Sequence, residues 1–233
     1  MKVVITGASR GLGFAMAEAF AKEGHDLYLT SRNEVNLYNA LASLQTRFPD
    51  QVIKAKAFDI GTKTGAFDFG KWVLGFDVET DILINNAGIF EPGHVIDEPE
   101  GQMEKMMNTN FFSAYYVTRV LLPPMMERKS GHIFNMSSIA ALQAYPNGGS
   151  YSVSKFALTG FSKNLREELK PYSIKVTCIY PGAVYTDSWA AAGISPGRIM
   201  KSTDIANTVV QISKLSPQAV VEDLIIRPLL GDL

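Results

Sequence analysis

The chain has 233 residues, 46% hydrophobic and 19% charged, with a formal net charge of −1. That balance is ordinary for a soluble globular protein, and its interspersed acids and bases give no electrostatic reason to expect nucleic acid or an anionic membrane as partner. No apolar run reaches the roughly eighteen residues a membrane span needs, and Met1–Thr6 is too short for a signal peptide, so no membrane partner and a cytoplasmic location are expected. The lone Cys178 cannot form an internal disulfide, which suits a reducing compartment.

At the N-terminus, Lys2-Val-Val-Ile-Thr6 reads as a short apolar strand, followed by Gly7-Ala-Ser-Arg-Gly-Leu-Gly13 and an apolar-periodic helix to about Lys22. A strand passing through glycines into a helix is the geometry that holds a dinucleotide pyrophosphate. The glycines let the backbone approach closely, and the helix N-terminus offers unpaired N–H groups and a positive dipole. Gly7-Ala-Ser-Arg-Gly11 also spells the G-x-S-x-G elbow of serine hydrolases. That chemistry requires strands ahead of the elbow and a histidine after the acidic partner, whereas the histidines here are His25, His94 and His132. Ser9 is therefore read as a phosphate or turn ligand.

The next strand, Asp26 to Thr30, ends in Ser31-Arg32-Asn33. An acid at this strand end would bond the adenosine ribose of NAD; an arginine accommodates a 2′-phosphate instead. With Arg32 there, and Arg10 in the glycine loop, NADP(H) is the expected cofactor. A strand from Val52 to Phe58 precedes Asp59-Ile60. The apolar run in Thr80-Asp-Ile-Leu-Ile-Asn-Asn-Ala-Gly-Ile89 reads as a buried parallel strand, with Asn85-Asn86-Ala87-Gly88 as the loop at its carboxyl end, where open α/β sheets bind ligands.

A helix is predicted from about Gln102 to Arg128, with a kink or break near Leu122-Pro123-Pro124. Gly131 to Ser138 forms another strand ending in small hydroxyl residues; the Asn135-Met-Ser137 sequon inside it carries no glycosylation meaning if buried. In the helix from about Ser150 to Lys170, Tyr151 and Lys155 lie one turn apart on the same face. Tyrosine alone titrates near ~10, and a neighbouring cation brings it towards the range useful for acid–base catalysis. Further strands are expected over Ile174–Ile179 and Val220–Arg227, with a helix from Thr203 to about Leu215 between them. These alternating elements favour one α/β sheet over two domains.

The ordered set Thr6-Gly-x-x-x-Gly-x-Gly13, Asn85-Asn-Ala-Gly88, Ser138, Tyr151-x-x-x-Lys155 and Pro181-Gly182-x-x-x-Thr186 resembles the motifs of the short-chain dehydrogenase/reductase family over nearly the whole chain. The resemblance implies a single α/β domain over residues 1–233, a doubly wound Rossmann fold with a seven-stranded parallel sheet flanked by helices, and no metal. It implies Tyr151 as proton donor, Lys155 as ribose ligand that lowers the tyrosine's pKa, Ser138 as the group polarising the carbonyl, and Asn110, rather than Asn108, in a proton relay through water. Cofactor contacts are implied for Gly7, Ser9, Arg10, Gly11, Leu12, Gly13, Arg32, Asp59, Ile60, Asn86, Ala87, Gly88, Tyr151, Lys155, Pro181, Gly182, Val184 and Thr186. A homodimer or homotetramer paired through the two long helices is implied as well.

The substrate side is expected to be apolar and partly aromatic, from Ala140, Leu142, Tyr145, Trp189 and Met200. The short segment after Thr186 and the ending Val221 to Asp232 are most similar to bacterial sepiapterin-reductase-type enzymes, and the general motif set equally to 3-oxoacyl-acyl-carrier-protein reductases. The expected activity is NADPH-dependent reduction of a small carbonyl compound, with sepiapterin or a related pterin leading. The alternatives are the acyl-carrier-protein reaction and an NADP(H)-sensing module, against which the intact Ser138, Tyr151 and Lys155 weigh.

Overall fold

In the computed structural model, which describes residues 1–76, 79–186, 193–195 and 197–232, β-branched and apolar runs become strands and the amphipathic segments between them become crossover helices. Among the described residues, β1 (Lys2–Thr6), β2 (Asp26–Thr30), β3 (Ile53–Ala55), β4 (Ile82–Asn85), β5 (Gly131–Met136), β6 (Ile174–Pro181) and β7 (Asp223–Ile226) form one seven-stranded sheet in the order β3-β2-β1-β4-β5-β6-β7. Every pairing is parallel. The strand order reverses direction beside β1, which opens a crevice at the carboxyl edge between β1 and β4.

Register fixes what meets at that edge. Thr6 pairs with Thr30, Asn85 with Asn135 and Met136 with Ile179, so the loops that follow leave the sheet at nearly one level. The helices are α1 (Gly11–Lys22), α2 (Glu34–Arg47), α3 (Lys63–Leu74), α4 (Gln102–Met107), α5 (Ser113–Arg128), α6 (Gly149–Leu169) and α7 (Ser202–Ser213). On one face Met16, Phe20, Leu37, Leu44 and Val209 from α1, α2 and α7 bury against the sheet. On the other, Phe69, Val73, Val117, Leu121 and Leu165 from α3, α5 and α6 do the same. The central strands are buried on both faces, which is why they read as apolar runs without alternation.

Two expectations are corrected. The strand predicted over Val52–Phe58 is regular only from Ile53 to Ala55; as an edge strand it keeps contact with β2 beyond there through single bonds, Lys56 N to Leu29 O and Phe58 N to Ser31 O. The break predicted at Pro123-Pro124 does not occur: α5 runs through both prolines to Arg128. Leu121 and Met125, both buried, hold that last turn onto the core, so packing outweighs the backbone bonds that proline cannot donate. The irregularity falls earlier, in a π-helical turn at Asn108–Phe112 between α4 and α5. Strand β6 extends to Pro181, two residues beyond its expected end.

Candidate active site

The phosphate end of the crevice is built by close backbone packing. Gly7 has φ +66°, and a Cβ there would stand 2.9 Å from Ala87 Cα; one at Gly13 would stand 2.6 Å from Asn86 Nδ2 and 2.8 Å from the Gly7 carbonyl carbon. Asn86 laces the two loops together, donating from Nδ2 to Thr6 O at 3.0 Å and Gly7 O at 3.2 Å. Thr6 Oγ1 accepts from the amides of Asn86 and Ala87, each at 3.0 Å. The N-cap residue of α1 makes no side-chain cap bond, and Gly11, Leu12 and Gly13 of its first turn line the crevice.

That crevice is a cleft of about 660 Å³ whose wall gathers Ser9, Arg10, Arg32, Asp59, Ala87 and Thr186. Gly7, Gly11, Leu12, Gly13, Ile60, Asn86 and Gly88 line it too. Asp59 accepts from Gly61 N at 3.1 Å, which shapes the wall beyond β3. Thr186 lies against the glycine loop, 3.5 Å from where a Gly11 Cβ would be. Pro181, Gly182 and Val184 are not among the residues that line the cleft. Gly182 donates to Ile226 O at 2.8 Å, and Val184 is buried in a single bridge with Met200. Asn33, Asn36 and Thr109 line the cleft without having been singled out; Asn33 carries only the signal of a helix N-cap, accepting from Asn36 N at 2.8 Å.

Beside Gly88 on the cleft wall, α6 places Lys155 and, one turn earlier, Tyr151. The ammonium of Lys155 is buried, donates to Met136 O at 2.8 Å and lies 5.7 Å from the centroid of the Tyr151 ring. Ser138, on the loop after β5, accepts from Ala140 N at 3.1 Å, and its hydroxyl lies near enough to the Tyr151 phenol to favour the phenolate. Asn110 sits in the π turn, buried, and clamps the Ile89 peptide: Oδ1 accepts from Ile89 N at 2.7 Å and Nδ2 donates to Ile89 O at 3.0 Å. A Cβ on Gly88 would stand 3.3 Å from Asn110 Oδ1 and 3.4 Å from Lys155 Nζ, so one bare glycine separates the two groups. Asn108 is exposed. Without the π turn the register of α4 into α5 would carry Asn110 elsewhere; sequence periodicity offers no sign of that extra residue.

The fold and this ordered geometry agree with the match of residues 1–195 to the family model for short chain dehydrogenases. The chain belongs to the short-chain dehydrogenase family. Among its relatives, the sepiapterin reductase of Chlorobaculum tepidum is 31% identical, over 99% of this chain and 97% of that one. The L-sorbose reductase of Gluconobacter frateurii, solved with NADPH and L-sorbose, superposes with a TM-score of 0.88 at 29% identity, covering 97% of this chain and 94% of that one. The closed form of serine dehydrogenase complexed with NADP+ gives a TM-score of 0.89 at 27% identity, covering 100% of this chain and 97% of that one.

In this short-chain dehydrogenase the residues expected on the substrate side fall on different surfaces. Ala140 is 1% exposed, so it offers its amide to Ser138 and not its methyl to a ligand. Tyr145 is 42% exposed and lines a separate groove of about 290 Å³ with Val95, Val153 and Phe156. Phe90, within the segment Ile89–Val95 expected to border the substrate, packs edge-on against the Tyr151 ring, centroids 4.9 Å apart at 78°. Trp189 lies outside the described residues.

Electrostatics separates the two titratable groups. Burial pushes the Tyr151 phenol up to about 12; the Ser138 hydroxyl opposes this and the nearby Tyr145 adds to it. Burial brings Lys155 down to about 8, with Cys178 opposing. At neutral pH the phenol therefore holds its proton beside a cationic amine, the arrangement a proton donor requires. The lowering of Tyr151 by Lys155 that the resemblance implied is not seen: burial dominates, and the ammonium is turned to Met136 O. Among the described residues, no three His, Cys, Asp or Glu side chains gather to hold a metal ion, and no helix is long and apolar enough to cross a membrane.

Proposed function

We propose that this chain is an NADPH-dependent carbonyl reductase in which Tyr151 protonates the nascent alcohol. The observation that carries the reading is the Tyr151 phenol, which burial keeps protonated, with the Lys155 ammonium 5.7 Å from its ring centroid and Lys155 Nζ in turn 3.4 Å from where a Cβ on Gly88, a cleft-wall residue, would stand. Fit to the cofactor rests on the backbone cradle of Gly7 and Gly13, which a single Cβ would fill, and on the uncapped N-terminus of α1. Ser9 and the α1 amides would hold the pyrophosphate, Asp59 and Ile60 the adenine side, and Lys155 the nicotinamide ribose. Arg10 and Arg32, both on the cleft wall, favour the 2′-phosphate of NADP(H), as do NADP-bound relatives of the same fold.

Bound there, the nicotinamide supplies a hydride to the carbonyl carbon. Ser138 donates a hydrogen bond to the carbonyl oxygen as charge develops on it, and Tyr151 passes its proton to that oxygen. Lys155 holds positive charge beside the phenol as it becomes phenolate, and Asn110, one glycine away, positions the return path for the proton. Donors aimed at a developing oxyanion contribute roughly 3 kcal/mol each.

The leading substrate is sepiapterin or a related pterin, supported by near-complete coverage of the Chlorobaculum tepidum relative. Trp189 is proposed to lie against it. The buried free thiol Cys178 fits a cytoplasmic enzyme, and the exposed Val153 and Phe156 of α6 fit pairing in a homodimer or homotetramer. The test is protein-dependent NADPH oxidation with sepiapterin and, in parallel, an acetoacetyl thioester on carrier protein. Turnover of sepiapterin supports the pterin assignment, preference for the thioester moves the chain to acyl-carrier chemistry, and tight NADPH binding without turnover of any carbonyl leaves the sensing module. Tyr151→Phe is expected to bind NADPH normally and turn over at least about a hundredfold more slowly; near-normal turnover would overturn the proton-donor role.

A further inference from the structure

The N-terminus of α6, two residues before the catalytic tyrosine, has no cap of its own: Gly148 offers no side chain to it. Its acceptor comes from fifty residues away in the chain. Glu98, on the loop between β4 and α4, accepts from Ser150 N at 2.7 Å with Oε1 and from Ser150 Oγ with Oε2. A carboxylate at this end of a helix also meets the positive end of the macrodipole.

The surroundings are built around that carboxylate. A Cβ on Gly93 would stand 2.7 Å from Glu98 Cγ, and one on Gly149 would stand 2.9 Å from Glu98 Cδ and 2.5 Å from Gly93 O. Gly93 N donates to Asn147 O at 3.2 Å, a second tie between the same two segments. The loop's other end is the Ile89 peptide clamped by Asn110, and its Phe90 lies edge-on to the Tyr151 ring. Ser150, immediately before Tyr151, is fully buried. The loop therefore grips Tyr151 twice: on its ring through Phe90, and on its backbone through Ser150 and Glu98.

We propose that Glu98 is a positioning residue for Tyr151, setting the phenol's place over the crevice by anchoring the first turn of α6 to the loop that carries Phe90. This rests on Tyr151 being the proton donor. A lost anchor would leave the cofactor end untouched, because Thr6, Gly7, Asn86 and Ala87 are held by other bonds.

The test compares Glu98→Ala, Glu98→Gln and Ser150→Ala with wild type and Tyr151→Phe, in NADPH oxidation with sepiapterin as probe, or with the acetoacetyl thioester if that is the carbonyl turned over. Glu98→Ala is expected to lower kcat about 10- to 100-fold, as loss of about an ångström of alignment does, with NADPH Kd by fluorescence titration within about twofold of wild type. Glu98→Gln should recover most of the rate, since its carbonyl can accept from Ser150 N and its amide can donate to Ser150 Oγ. Should Glu98→Ala not fold, Ser150→Ala, which removes one of the two bonds, is expected to lower kcat several-fold at unchanged Kd. Wild-type kcat in Glu98→Ala or in Ser150→Ala overturns the role, as does an equal loss of NADPH binding, or a Gln variant as slow as Ala. Turnover surviving in Tyr151→Phe defeats the proton-donor reading itself, whereas an inactive Tyr151→Phe beside a fully active Glu98→Ala defeats only the role of Glu98.

Discussion

At the scale of residues, the proposed proton transfer requires one phenol to stay protonated and one amine to stay charged inside the same low-dielectric pocket. Lys155 sits near the limit of that arrangement, because burial has already brought it to about 8. Its charge is present below that value and lost above it, while Tyr151, at about 12, stays protonated throughout. The rate of carbonyl reduction is therefore expected to hold on the acid side and fall as pH rises through about 8. A stopped-flow profile of the hydride step that stays flat to pH ~10, near where a free lysine titrates, would remove Lys155 from the chemistry. Arg32 makes a different kind of contribution, through charge at the cleft wall. Arg32→Asp is expected to weaken NADPH binding at least about tenfold while leaving NADH nearly unchanged, the discrimination expected of an arginine that reads a 2′-phosphate. Equal loss for both nucleotides, by fluorescence titration, would take that role away.

At the scale of elements, short irregular segments place the functional groups on a regular sheet. The glycine loop shows how little tolerance they have. With 2.8 Å between the ideal Cβ of Gly13 and the Gly7 carbonyl carbon, Gly13→Ala must push the loop off the Asn86 side chain that laces it. NADPH affinity is expected to fall at least about tenfold while the far-UV circular dichroism stays native, since the clash lies outside the strands; such core-crowding changes typically cost about 1–3 kcal/mol. A variant that binds NADPH as wild type would show that the loop can give way. The π turn is the second such segment. It turns Asn110 inward to hold Ile89 and leaves Asn108 in solvent, which separates two asparagines that the sequence presents two residues apart. The prolines of α5 are the reverse case, a strong local signal overridden by the burial of Leu121 and Met125.

At the scale of the whole molecule, the sheet carries polar groups through its centre. Asn85 Nδ2 donates to Asn135 Oδ1 at 2.8 Å, and Asn135 passes the chain on to Ser162 Oγ at 2.8 Å, tying β4, β5 and α6 beneath the site. His132, next to these strands' start, is buried against Phe134, and its Nε2 lies 2.8 Å from Thr177 Oγ1. Thr177 spends its own proton on Val221 O at 2.7 Å, so Nε2 is the donor and His132 is the neutral Nε2–H tautomer. Burial, reinforced by Lys175, holds it down at about 3. The unfolded chain takes up that proton near pH ~6.5 and the folded chain only near 3, so stability present above ~6.5 is lost at about 1.4 kcal/mol per pH unit as pH falls between the two. His132→Gln, which keeps a donor for Thr177, is expected to flatten that slope in urea titrations between pH 4 and pH 6.5, a window set by the same linkage. An unchanged slope would place the acid sensitivity elsewhere.

Glycine turns, apolar runs and helical spacing are local properties of the chain, so the alternating elements, the ordered motifs and the family were legible in the sequence. Tyr151 and Lys155 share a helical face whatever surrounds them. What surrounds them was decided only by the tertiary structure. The ring of Phe90, the anchor at Glu98, the inward turn of Asn110, the withdrawal of Ala140 into the core and the position of Tyr145 on an outer groove all depend on which loops meet at the carboxyl edge of the sheet. So do the values of about 12 and about 8 for Tyr151 and Lys155. Burial sets those values, and burial is a sum over neighbours from distant parts of the chain, which no local pattern of residues encodes.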